Sequence, residues 1–463
     1  MERLKPPAKR HAWLMAALPA SARTVRVHGE AGLAEAVAES GFEVVAGPAP
    51  ADALLIESRG RSAGSGGAAP TAIAVDAASR AARRPAWRRA FDLASSPLRS
   101  AIARRRAGAE LARMRSHGPA ECLAMSDRSR TVYGLGDGLW KRRLPPVAAI
   151  VRSTASPTML EQAIAESSVA VGVSLEVESL TVRETGKLVA ELRGPDGAGY
   201  VLRLASGRSA GYVEQAIAAL GALTRPEAPP TLRERVPRPL LDGHVRAARF
   251  QLEARVRGSH PAELTPAIWG QCMEFLCDLH RYEPMPRGAG EIARDLRADL
   301  ELLGAVGGPG TAAALDRLAE TLPGRLDGVE LGWGHGDCWR ENLFVRDGDL
   351  VSVIDWDAAS PRSFPLHDLW DLQTMARRRD PAWGAGMRCT EALWPSLADG
   401  EARTAEYCRL TGVSADRSLL GALAIAYWLV RTAREIEEAP QRCGHRGWIR
   451  RNLTEPLAAA ASL

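Results

Sequence analysis

Cysteine is scarce and unpatterned: seven residues, at 122, 272, 277, 338, 389, 408 and 443, with no CxxC pair among them. An odd, scattered set excludes a disulfide framework and a paired-cysteine zinc site, and fits a reducing compartment. Long apolar runs are also missing. The longest late run, Leu419 to Val430, is twelve residues, against the roughly twenty that a membrane helix requires. No excess of one charge dominates, since 60 Lys and Arg face 55 Asp and Glu for a net charge of +5. No internal repeat is visible. What remains, 46% hydrophobic and 25% charged over 463 residues, is the balance of a soluble chain with a compact core and several domains.

The N-terminus, MERLKPPAKRH followed by AWLMAALPASA, has the basic, apolar, small-residue order of an export signal. Its apolar part is only seven residues, and a strand-like run begins at once at Thr24. A cytoplasmic location is therefore expected. Charge is uneven in one place: residues 80–115 hold eleven Arg against one Asp and one Glu. Beyond Trp87 and Phe91 no aromatics interleave with them to stack bases, so no nucleic-acid partner is expected. Peripheral contact with acidic lipid or glycan is one reading of this stretch; a solvated pair of Arg-rich helices is the plainer one.

Residues 24–76 read as strand, helix, strand, strand and strand, the pattern of an open α/β sheet. The turn HGEAGLAEAV resembles the glycine turn of dinucleotide and S-adenosylmethionine binders, in which backbone amides meet the ligand. Those sites also carry an acid after the second strand to hold ribose hydroxyls, and here Val45 is followed by Ala46, Gly47 and Pro48. Residues 1–153 are accordingly expected to form a small Rossmann-like domain, similar to a degenerate methyltransferase, without a working cofactor site. From 154 to 258 the strands come in hairpins: SLEVESLTVRETGKLVAELR, the turn GPDGAG, then YVLRLA, with ARFQLEARV further on. From 259 to 463 the periodicity is helical, as in IWGQCMEFLCDLH and LLGALAIAYWLVRTAREI.

The helical part is interrupted once, by HGDCWRENLFVRDGDLVSVIDWD, residues 335–357. ENLFV and LVSVID are short strands joined by the turn Asp347–Asp349. Folding that hairpin brings Asn342, entering the first strand, beside Asp355, leaving the second, with Asp337 just upstream. Two oxygen ligands on strand ends, completed by water and phosphate oxygens, is how proteins commonly hold Mg²⁺. Asp337 is then left to orient a hydroxyl. Cys338 has no base or triad beside it in the sequence and is read as filler.

The HGDxxxxN loop, the hairpin and the IDWD run resemble the aminoglycoside phosphotransferase and choline kinase-like family, and the resemblance extends from about Leu175 to at least Asp371. It implies an α+β, two-lobed protein-kinase-like fold after the Rossmann-like domain. It also implies ATP- and Mg²⁺-dependent transfer of phosphate to a hydroxyl. Asp337 would take or orient the acceptor proton, and Asn342, Asp355 and Asp357 would serve the metal. In the strand YVLRLA the residue at the family's phosphate-pairing base is Arg203, a departure from lysine, and Glu214 in the next helix matches the carboxylate that steadies it. Arg203 is alternatively a surface strand residue. Gly186 sits at the turn that would cover the phosphates. Backbone groups of Glu253 to Arg255 would read adenine in the hinge. CDLHRYEP and PLHDLWDL supply later landmarks, with Asp368 tying down the loop and His335 organising it.

Residues 371–463 hold thirteen Arg and eleven acids. That balance is unlike the carboxylate-rich surface that polycationic aminoglycosides require, and a neutral or anionic hydroxyl compound fits better: a sugar, a glycan precursor or a natural-product intermediate. The alternatives are a catalytically weak kinase-like scaffold whose N-terminal domain docks a partner, and a fusion in which residues 1–150 transfer methyl groups.

Overall fold

The computed structural model describes residues 15, 18, 20–28, 31–45, 53–57, 72–77, 121–125, 148–152, 157–182, 186–375, 383–460 and 463. The Arg-rich stretch 80–115 and the turn residues 183–185 lie outside the described residues. Two compact units are present. One draws on Pro7–Glu214 with Pro239–Arg255, the other on Gln215–Arg238 with Val256–Leu463. No described helix is long and apolar enough to cross a membrane.

The first unit holds two sheets. The N-terminal sheet has six strands: β1 (Thr24–His28), β2 (Glu43–Val45), β3 (Ala53–Glu57), β4 (Ala72–Ala77), β5 (Glu121–Met125) and β6 (Ala148–Arg152), in the order β2-β1-β3-β4-β6-β5. The pairs β1–β2, β1–β3 and β3–β4 are parallel, and β6 is antiparallel to both β4 and β5. Helix α1 (Ala31–Glu39) joins β1 to β2. Thus the strand, helix and strand pattern of 24–76 is present, while β5 and β6 carry too little alternation to be read from the sequence.

Helix α2 (Met159–Val171) begins where Thr158 accepts the Glu161 amide and Glu161 reaches back to the Thr158 amide, a reciprocal cap. It leads into the second sheet, antiparallel in the order β10-β11-β9-β8-β7, with β7 Glu176–Val182, β8 Leu188–Arg193, β9 Gly199–Ala205, β10 Pro239–Val245 and β11 Ala248–Ala254. Strand alternation divides its side chains between two faces. Leu188, Ala190, Leu192, Leu202, Leu204, Phe250 and Leu252 form a buried apolar face with Met15, Leu18, Val25, Val37, Phe42 and Met159. Each large aliphatic or aromatic side chain so buried contributes roughly 1.5–3 kcal/mol. The β10–β11 turn clasps this N-terminal layer: Arg246 donates to the carbonyls of Ala20 (2.6 Å) and Gly41 (3.2 Å), and its guanidinium lies 4.6 Å from the Phe42 ring centre.

Helix α3 (Ala210–Leu223) starts in the first unit and continues into the second. There Ala216, Ala219, Leu220 and Leu223 join one large core with α4 (Pro230–Arg235), α5 (Pro266–Arg281), α6 (Ala289–Gly307) and α7 (Pro309–Arg325). A three-stranded sheet follows the order β12 (Met285–Pro286), β13 (Glu330–Gly334) and β16 (Ser360–Ser363), and β14 (Leu343–Arg346) pairs with β15 (Asp349–Val353) as a separate hairpin. Helices α8 (His367–Met375), α9 (Ala402–Thr411) and α10 (Arg417–Glu438) pack behind them, with Leu423, Tyr427 and Trp428 of α10 fully buried. Each unit mixes helices with sheet, an α+β architecture.

Candidate active site

The 335–357 segment folds as its local chemistry dictates. Asp347 and Gly348 both take positive φ, 56° and 91°, the geometry a two-residue hairpin turn needs to match strand twist. Asn342 closes a helical turn by donating its amide to the Trp339 carbonyl, and its own carbonyl accepts from Ile354 at 2.8 Å. That bond puts Asn342 and Asp355 side by side across the hairpin base. Asp355 sits in the left-handed region (φ 69°, ψ 60°), which Asp tolerates better than most residues but still at some cost.

The loop before the hairpin is tied down from several sides. Asp368 accepts the amides of His335 (2.6 Å) and Gly336 (2.8 Å). His335, fully buried, meets the Ile354 carbonyl through Nε2 at 2.9 Å and accepts the Asp337 amide at Nδ1 at 3.3 Å. It therefore organises the loop and has no ring nitrogen left over for a substrate. Trp356 packs against its ring edge-on at 4.7 Å. Gly336 has φ 73°, and a Cβ there would collide with the Ala358 carbonyl oxygen.

Asp337 is half-buried. Asn342 Nδ2 donates to its carbonyl oxygen at 2.8 Å and reaches its Oδ2 at 3.3 Å. Arg431 Nη2, from α10, lies 3.1 Å from its Oδ1. Burial pushes the Asp337 carboxyl up, but the Arg431 and Arg434 guanidinia and His335 outweigh burial and the nearby Asp355 charge, leaving it below the usual carboxylate range. Asp371 shows the opposite balance. Burial pushes it up to about 6 despite an ion pair with Arg431 at 3.2 Å and a hydrogen bond from Tyr427 at 2.7 Å.

Mg²⁺ fits this donor set. Asn342 commits its Nδ2 to Asp337, its backbone carbonyl pairs with Ile354 just before Asp355, and the buried Asp357 follows two residues later. Among the described residues no group of three His, Cys, Asp or Glu gathers to hold a metal by itself. An amide and a carboxylate are oxygen donors that suit an ion which keeps waters and takes phosphate oxygens. Cys338 is buried with its thiol pushed far up by desolvation, and is chemically quiet.

In the other unit, Arg203 is buried and pairs with Glu253 at 2.5 Å. Arg203 stands opposite Gln251 in the β9–β11 ladder, so Glu253 is its diagonal neighbour on the same face. The surface alternative for Arg203 is thereby overturned. Glu214, expected to steady it, is exposed on α3. The Arg255 amide, expected to be open to adenine, donates to the Gly199 carbonyl at 2.9 Å, and its guanidinium meets Glu178 at 2.6 Å. Gly186, buried with φ 78°, does occupy the turn ahead of β8. Sequence reasoning missed Arg431, Arg434, Asp371, Tyr427 and the buried Lys187. The signal for Arg431 is an arginine falling four residues after Tyr427, on a face of α10 where the helical period calls for an apolar residue.

A family model described as "Phosphotransferase enzyme family" matches residues 188–407. No curated protein matches the chain. Similar solved structures include a putative fructosamine-3-kinase from Haemophilus somnus 129PT, at 11% identity and a TM-score of 0.45, covering 65% of this chain and 96% of that one. A thermostable mutant of aminoglycoside phosphotransferase APH(4)-Ia is 16% identical with a TM-score of 0.44, covering 65% and 100%. The macrolide 2'-phosphotransferase MphH from Brachybacterium faecium is 16% identical with a TM-score of 0.38, covering 64% and 96%. Residues 188–407 thus match the phosphotransferase enzyme family, and the chain is an enzyme that transfers phosphate to a hydroxyl group.

Proposed function

We propose that the chain is an ATP- and Mg²⁺-dependent kinase that moves the γ-phosphate to a hydroxyl of a small neutral or anionic molecule, such as a sugar, a glycan precursor or a natural-product intermediate. One observation carries the reading: the backbone hydrogen bond from Ile354 to Asn342 that brings Asn342 level with Asp355 across the hairpin base, while the Asn342 Nδ2 donates to Asp337. Asn342, Asp355 and Asp357 would hold the metal. When bound, Mg²⁺ neutralises the charge that develops on the phosphate oxygens.

Asp337 accepts the O–H of the incoming hydroxyl and points its oxygen at the phosphorus. A carboxylate held below its usual range is a weak base, so its main work is orientation, and it receives the proton as the new P–O bond forms and the bond from the γ-phosphorus to the β,γ-bridging oxygen breaks, releasing ADP. Such positioning is the larger part of catalysis where the transition state is loose. In the other unit, Arg203, braced by Glu253, is the cation for the nucleotide phosphates, with Gly186 in the covering turn. The acceptor class follows from charge. Arg431 and Arg434 both act on Asp337, and a polycationic acceptor would meet two guanidinia there, whereas a neutral or anionic one would not be repelled. Residues 1–153 are proposed to be a Rossmann-like domain that has lost its cofactor.

The test is phosphate transfer from Mg·ATP across a panel of sugars, polyols, phosphorylated sugars and aminoglycosides. Asp337→Ala should abolish transfer and spare Mg·ATP binding. Undiminished turnover by that variant would remove the role given to Asp337, and activity on aminoglycosides alone would overturn the acceptor class.

A further inference from the structure

We propose that Arg431 is a positioning residue for the transfer step, a guanidinium delivered by α10 that sets the rotation of the Asp337 carboxylate. The inference rests on the kinase reading above and adds to the loop a residue far outside it in sequence.

The geometry is a three-way clamp. Arg431 Nη1 donates to the Gly336 carbonyl at 2.6 Å, Nη2 reaches Asp337 Oδ1 at 3.1 Å, and Nε lies 3.2 Å from Asp371 Oδ1. The first two contacts are to consecutive residues of the loop, so one planar fork fixes a backbone carbonyl and a side-chain oxygen together. The third anchors the fork to the protein interior, where Tyr427 donates to the same Asp371 oxygen at 2.7 Å. The side chain is 8% exposed, which leaves it little freedom to swing away.

Arg434, one turn later, adds a second donor to Gly336 at 3.0 Å and is itself held by Glu438 at 2.8 Å. The consequence for Asp337 is an asymmetric carboxylate. Oδ1 is taken by Arg431, whereas Oδ2 makes, among the described residues, the long 3.3 Å contact with Asn342 and keeps a lone pair for the acceptor hydroxyl. An arginine serving packing alone would need Asp371; the arm on Asp337 serves the reaction. A lysine offers a single nitrogen and cannot span three acceptors.

The probe is Mg·ATP with water as acceptor, which requires no knowledge of the natural substrate. Arg431→Ala should lower turnover on the order of 100-fold, the scale of misplacing a reacting group by about 1 Å, while the KM for Mg·ATP stays within about threefold. Arg431→Lys should fall between that variant and the wild type. A folded Arg431→Ala with turnover within about twofold of wild type overturns the proposal. Should that variant not fold, Arg431→Lys is judged by the same limits. Should the wild type hydrolyse no faster than Asp337→Ala, it is the kinase reading that has failed, and melting temperatures decide on Arg431. The losses from Arg431→Gln and Asp337→Asn are expected not to add in the double variant, because each breaks the same pair; additive losses overturn the coupling.

Discussion

Asp368 accepts the backbone N–H of His335 at 2.6 Å from 33 residues downstream, and the N–H of Gly336 at 2.8 Å with its other oxygen. A single carboxylate thus cradles two successive amides of the loop that carries Asp337. Burial pushes this carboxyl up, and His335 and the two amide donors pull against it. Asp368→Asn keeps the size but turns an NH₂ toward one of the amide donors. It should cost about 1.5–3 kcal/mol of stability, the range for hydrogen bonds to a charged group, and lower turnover well over tenfold. Denaturant unfolding and initial rates check the two effects separately.

Gly336→Ala tests the same loop through its backbone. The residue has φ 73°, and its Cβ would press on the Ala358 carbonyl. Strain of this kind is worth about 1–3 kcal/mol, so the variant should melt several degrees lower and lose most activity, since the carbonyl received by Arg431 and Arg434 must move.

Metal dependence separates Asn342 and Asp355 from Asp337. Asn342→Ala and Asp355→Ala should raise the Mg²⁺ concentration for half-maximal rate by tenfold or more, and added Mg²⁺ should recover part of the Asn342→Ala rate. Asp337→Ala should not respond to added metal. EDTA should abolish wild-type transfer, and a Mg²⁺ titration of initial rate for each variant is the measurement. An Asp355→Ala enzyme with wild-type Mg²⁺ dependence would show that the ion is held elsewhere.

Arg203 and Glu253 form a buried pair at 2.5 Å. Removing one partner takes a counter-charge from a buried ion, so Glu253→Ala should lower stability, by up to about 3–5 kcal/mol. Replacing both with apolar residues of similar volume should restore much of that loss without restoring nucleotide binding. Thermal melts with and without Mg·ATP distinguish the structural from the functional contribution.

Two buried histidines predict acid sensitivity. Burial lowers His280 to about 4 and His367 to about 3, the latter packed against Phe364 and Tyr427 rings at 5.3 Å each. Both folded values lie below the unfolded value of about 6.5, so the unfolded chain binds protons first. Stability is therefore complete above pH 6.5 and is lost as pH falls toward 4. At pH 5 each histidine should cost about 2 kcal/mol relative to pH 8. His367→Gln should flatten that slope in chemical denaturation curves taken across this range.

The hairpin, its Asp347–Gly348 turn and the neighbourhood of Asp337, Asn342 and Asp355 were legible because all lie within 21 consecutive residues, where turn chemistry and strand alternation determine who meets whom. The antiparallel sheet and the helical second part were legible for the same reason, as periods of two and of 3.6 are local properties. Alternation also assigns Arg203 to one face of β9. It does not say which carboxylate shares that face. That choice belongs to the β9–β11 register, which brings Glu253 alongside and leaves Glu214 exposed.

Arg431 is the plainest case of what tertiary structure alone decided. Its sequence position shows an arginine on the apolar side of a long helix, and its burial requires anionic partners. Those partners, Asp337 and Asp371, lie 94 and 60 residues away and are reached only because α10 packs its Tyr427 and Arg431 face onto the loop. Short-range patterning specifies elements and the groups each presents. The pairing of charges across elements depends on how those elements dock, and no spacing along the chain records it.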